Sequence, residues 1–158
     1  MIDLYERLNA WLVAMVPDGT TVYVRDQNAP TPPSPRVTMR IAANTESGHH
    51  RSEYVDENGI QTLTRWTGFT LALEFFGETL LQAETMAADV ADLCRFDELR
   101  IEKIGRTATF NRILLGPQSV DAVIGAQFEP RAVLDLQMSA SRQTLLDVGA
   151  IEVIEITG

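Results

Sequence analysis

Apolar residues recur along this chain with two different periods, and the places where the period changes mark the elements. Leu4, Leu8, Trp11, Leu12 and Met15 fall at helical spacing, with Asp3, Glu6, Arg7 and Asn9 largely off that stripe. Asp3 and Glu6 have capping-box spacing, and Pro17-Asp18-Gly19 stops the helix. Trp11 on the apolar stripe reads as core. Residues 20–25 (TTVYVR) then have strand composition, with Val22 and Val24 on one face and Tyr23 and Arg25 on the other. Residues 26–35 (DQNAPTPPSP) hold four of the seven prolines, which predicts a stiff, extended, ordered loop. Residues 36–41 alternate, Val37, Met39 and Ile41 against Arg36, Thr38 and Arg40, as a strand of an antiparallel sheet with one solvated face does.

Residues 44–51 are polar and end in Gly48-His49-His50, which reads as a loop. Tyr54 and Val55 extend a strand toward Asp56-Glu57-Asn58-Gly59, whose Asn-Gly is a hairpin signal. A long strand follows over 61–76, with Phe69, Leu71, Leu73 and Phe75 on one face and Gly68 at an expected bulge or bend. The period changes again over 78–95. Glu78, Gln82, Thr85, Asp89 and Asp92 make a polar stripe opposite Leu80, Ala83, Ala87, Val90 and Cys94, with Met86 and Leu93 beside them. A short helical turn is expected within 96–105, then a strand over 106–115 closed by Gly116-Pro117. Residues 127–142 place Ala132, Leu134, Leu136 and Met138 against Val133, Asp135 and Gln137. Residues 149–157 read as a last strand, apolar at both parities. Strand runs broken by two main helices predict an α+β fold, a mixed, mainly antiparallel sheet with both helices on one face.

The 158 residues fit a single domain spanning 1–158, without an internal repeat, signal peptide or membrane-length apolar run. Net charge is −9 and no basic run is present, which argues against tight nucleic-acid binding. All the basic residues but Lys103 are arginines, whose fixed, forked donors suit protein interfaces. The single cysteine, Cys94, falls on an apolar helix face and reads as a small hydrophobe. His49 and His50 are adjacent and lack helical metal-ligand spacing, and 56–59 lacks the alternating ligands of a calcium loop. Phosphate-cradling glycine loops and nucleophile elbows are missing as well, so no catalytic, metal or cofactor site is expected.

Three blocks carry a family resemblance: 23–40 (YVRDQNAPTPPSPRVTMR), 71–80 (LALEFFGETL), and 128–136 (FEPRAVLDL) together with 148–158 (VGAIEVIEITG). In this order and spacing the chain resembles the neck or tail terminator proteins of tailed bacteriophages. The resemblance implies a virion structural protein, made and assembled in the host cytoplasm, rather than an enzyme. It implies a homohexameric ring that caps the head-proximal end of the tail tube and stops polymerisation of tube and, in contractile tails, of sheath. Its partners would be the tube protein, the sheath protein and a head-side connector. Another neck component, a head–tail adaptor or collar ring, is the alternative, and a small cytosolic binding domain is a further one. The expected interface residues are Arg25, Gln27, Asn28, Pro30, Pro32, Pro33, Pro35, Arg40 and Arg131. Acids expected to line a channel through which DNA passes without specific binding are Glu53, Asp56, Glu57, Glu78, Asp89 and Asp92.

Overall fold

The structure is a computed structural model. It describes the backbone of residues 2–25, 30–42, 47–105, 107–124 and 127–147, and the side chains of these except 2–3, 47–54, 121–124, 127–128 and 142–147. The element order is α1 (Ile2–Met15), β1 (Thr21–Val24), β2 (Arg36–Ala42), β3 (Ser47–Val55), β4 (Ile60–Phe76), α2 (Leu80–Leu93), α3 (Asp97–Ile104), β5 (Ala108–Ile124) and β6 (Gln127–Asp147). The strands form one sheet in the order β1-β2-β4-β6-β5, and β3 pairs with the early half of β4. β2 meets Thr70–Phe76 of β4 and β3 meets Gln61–Thr67, so the two share one edge of the same long strand. Every pairing is antiparallel except β1 with β2. The fold is α+β, as the periodicities predict.

The core lies between the helices and one face of the sheet. Phe69, Leu71, Leu73 and Phe75 of β4 and Ala132, Leu134, Leu136 and Met138 of β6 are all buried there. Leu8, Trp11, Leu12, Ala83, Met86, Ala87 and Val90 supply the helical side. Thr79 caps α2 by accepting from the Gln82 N–H at 3.1 Å, and Gln82 accepts from the Glu78 N–H at 2.7 Å. Arg7 donates to the Ile104 carbonyl at 3.0 Å and ties α1 to the C-terminus of α3, where a cation is favoured.

Several expectations are corrected. α1 starts at Ile2, so Asp3 lies inside its first turn and not at the cap. His49 and His50 belong to strand β3, whose polar composition hid it. The Asp56–Gly59 turn is present, with Gly59 at φ +78°, but no register shift interrupts the β4–β6 ladder at Gly68. Leu80 is not on the buried face of α2 but 38% exposed. Gly116-Pro117 does not end a strand. β5 runs through it with register shifts, because on this edge strand a proline's missing N–H breaks no ladder bond to a further neighbour. The expected strand at 149–157 lies outside the described residues.

Candidate functional site

Even-numbered residues of β4 and odd-numbered residues of β6 point away from the helices, because their neighbours of opposite parity fill the core. The cross-strand register therefore dictates which side chains share this second face, which is open at Arg25 and Arg40 but, against the expectation of a solvated face along 36–41, buries Arg36, Thr38 and Phe76. One row joins Arg36, Phe76 and Arg131; the next joins Tyr23, Thr38, Glu74 and Val133; a third joins Arg40, Ala72, Asp135 and Leu115. Arg25 follows β1 at the end of the third row, donating its N–H to the Met39 carbonyl.

Glu74 stands at the centre and accepts from two arginines, Arg25 on one oxygen and Arg131 at 2.7 Å on the other. Arg36 lies 2.6 Å from Glu129 and 4.1 Å over the centroid of the Phe76 ring. Burial pulls the Arg36 guanidinium down, but hydrogen bonding to Glu129 and its charge, with Tyr23, more than offset this and hold its pKa above the ordinary value. Burial pushes the Asp135 carboxyl up, with Arg40 opposing and Glu74 adding to the rise. The Nε atoms of Arg36 and Arg131 are buried without a hydrogen-bond partner.

The proline segment reaches the same corner. Ser34 donates to Glu129 at 3.5 Å and accepts from Arg36 at 3.2 Å, so the loop's last turn is held by the ion pair at the end of the sheet. Pro30 and Pro33 are exposed, Pro32 and Pro35 half-buried. The structure thus brings together Arg25, Arg40, Arg131 and this end of the loop. Gln27 and Asn28 lie outside the described residues.

The acids expected at a channel do not come together. Asp56 and Glu57 occupy the β3–β4 turn, where Asp56 Oδ1 accepts from the N–H groups of Asn58 and Ile60 at 2.8 and 3.0 Å. Glu78 precedes α2, and Asp89 and Asp92 lie exposed along it. The 17 residues of β4 separate the turn acids from Glu78 by roughly 50 Å at strand rise. Glu53 is in β3, and its side chain is outside the described residues.

The interface residues expected from the sequence omit Arg36, Glu74, Glu129 and Asp135, although alternation already sets Arg36 and Asp135 opposite the core. The signal was present in the second block: Glu74 interrupts an otherwise apolar LALEFF, at the parity opposite the core residues. Elsewhere an open groove of about 600 Å³ between α1 and β1 is lined by Tyr5, Asn9, Val22, Val24 and Met39, and Asn9 donates to the Val22 carbonyl across it. Burial pushes the Cys94 thiol up to about 11, which keeps it protonated at neutral pH. Among the described residues no three potential metal-ligating side chains cluster, and no helix is long and apolar enough to cross a membrane.

An arginine-rich sheet face is what a contact protein presents, and the comparison with known families agrees. The family model for phage neck terminator proteins matches residues 3–158. The chain belongs to that family. A search of curated proteins found no match. Membership makes the chain a structural component of the phage neck and of the virion, acting among other phage head and tail proteins.

Proposed function

We propose that this neck terminator forms a homohexameric ring that caps the head-proximal end of the tail tube. The ring halts polymerisation of tube and, where present, sheath, and offers its upper surface to the head-side connector. It does so as a structural element without catalysis, in particles assembled in the host cytoplasm. The observation that carries this reading is the convergence of Arg25, Arg40 and Arg131 with the proline segment on a sheet face that no described helix covers. Arginine forks and a pre-stiffened loop lose little entropy on docking, which suits a contact made late in assembly. An acidic chain whose channel wall repels phosphate lets DNA pass without holding it.

Electron microscopy of tails made with and without this protein tests the proposal. Six copies are expected at the head-proximal end, and particles lacking them should carry tubes of uncontrolled length. Tubes of normal length that merely fail to join heads would assign the chain to an adaptor position instead. One or two copies per tail would exclude the ring.

A further inference from the structure

The open face and the outer side of α2 are complementary, and they lie on opposite layers of the same molecule. Arg25, Arg36, Arg40, Arg112 and Arg131 stand on the face against Glu74, Glu129 and Asp135, a positive balance in a chain of net charge −9. Glu74 and Glu129 are engaged in ion pairs there, whereas Arg40 is exposed and forms no ion pair with a described residue. Leu115, across from Asp135 on this face, is 42% exposed. α2 offers the converse. Leu81 is 72% exposed, next to Thr85, Asp89 and Asp92, and no described cation pairs with Glu84, Asp89 or Asp92. No basic residue occurs within α2.

We infer that the open sheet face binds the acidic outer side of α2 from a second copy of this chain. One molecule cannot join its own two surfaces, because the sheet lies between them. The contact is therefore heterologous, and a growing chain of copies keeps one free surface of each kind, at its two ends, until it closes. Leu81 and Leu115 supply the apolar centre and the charges set register and direction. This rests on the ring reading, and it identifies the surfaces that build the ring.

The test reverses each surface in particles that assemble with the full-length chain. Arg40→Glu with Arg112→Glu turns the face acidic; Asp89→Arg with Asp92→Arg turns the helix basic, near a C-terminus that favours cations. Each pair alone should lower the number of ring-capped tails by about tenfold or more, since like charges then meet. All four substitutions in one chain should restore it to within about twofold of the unaltered level. Thermal melting reports folding throughout, and Arg40→Gln with Asp89→Asn, expected to cause a partial loss, replaces any reversal that fails to fold. Folded four-fold variants that do not recover, or reversals without effect, overturn the inference and leave the ring standing. Rings that persist while the arginine reversals lower the melting temperature would mean that residues 148–158 of the same chain cover the face, which also overturns it. Tails that carry no ring with the unaltered chain refute the ring reading itself.

Discussion

Asp135 shows how the open face is held in tension. Its folded pKa is raised, so the folded state binds a proton more readily than the unfolded one. Stability from this group is therefore highest below the ordinary carboxylate range and is lost as pH rises through the folded value. Asp135→Asn should raise resistance to denaturant at pH 7 and leave it unchanged near pH 3; a variant less stable at neutral pH would mean that Arg40 outweighs burial. One position earlier the side chain points the other way. Leu134 is fully buried, and Leu134→Ala should cost about 2–5 kcal/mol in chemical unfolding. Gly116 is fixed by its backbone: φ is +86°, and an added Cβ would lie 2.3 Å from the Val133 carbonyl oxygen. Gly116→Ala should destabilise by at least about 1–3 kcal/mol, read in the same experiment. The alternation around Asp135 and Leu134 was legible in the sequence because parity alone decides which face a strand residue takes. The role of Gly116 was not, because the clash comes from a strand that the sequence places 17 positions away.

The proline segment changes meaning once its strands are paired. β1 and β2 run parallel, with the Thr21 N–H bonded to the Pro35 carbonyl and the Arg25 N–H to the Met39 carbonyl. The chain leaving Arg25 must come back about 13 Å along the strands and about 5 Å across. Removing residues 29–34 would leave five peptide steps from Arg25 to Arg36, about 17 Å when fully extended against about 14 Å to be spanned, with too little left for the two reversals. That deletion should strip β1 from the sheet and lower the melting temperature, so it cannot isolate an assembly role. Replacing Pro30, Pro32 and Pro33 with Ser at constant length can: the monomer should melt within a few degrees of the original while ring-capped tails decline. Turn residues and proline clusters announce a loop locally, but the direction of the strand beyond it depends on contacts between residues far apart in sequence. The same holds for β5, where Gly-Pro reads as a stop. In the sheet it is a shift of register on an edge, and the shifts along β5 roughen a rim that would otherwise invite another strand.

At the scale of the molecule, β4 sets what the acidic groups can do. Asp56 and Glu57 stand at its start, while Glu78 follows its end and leads into α2 with Asp89 and Asp92. The length of β4 holds the turn acids roughly 50 Å from Glu78. If α2 meets a neighbouring copy, the turn acids are the ones left to face the DNA path. Composition reported the charge but not its division, because a net value carries no distances. The two groups should then respond differently to reversal. Glu57→Lys leaves the Asp56 hydrogen bonds of the turn in place and should leave ring-capped tails at normal number. Its effect should fall on DNA release, as a salt-dependent slowing, since added lysines on a channel wall hold phosphates that the native acids repel. Asp89→Arg with Asp92→Arg should do the opposite, reducing capped tails before any DNA moves. Counting capped tails and timing DNA release at low and high salt separates these outcomes. A Glu57→Lys particle that releases DNA at the native rate at low salt would place the turn on the outer rim, where its acids serve solubility and not passage.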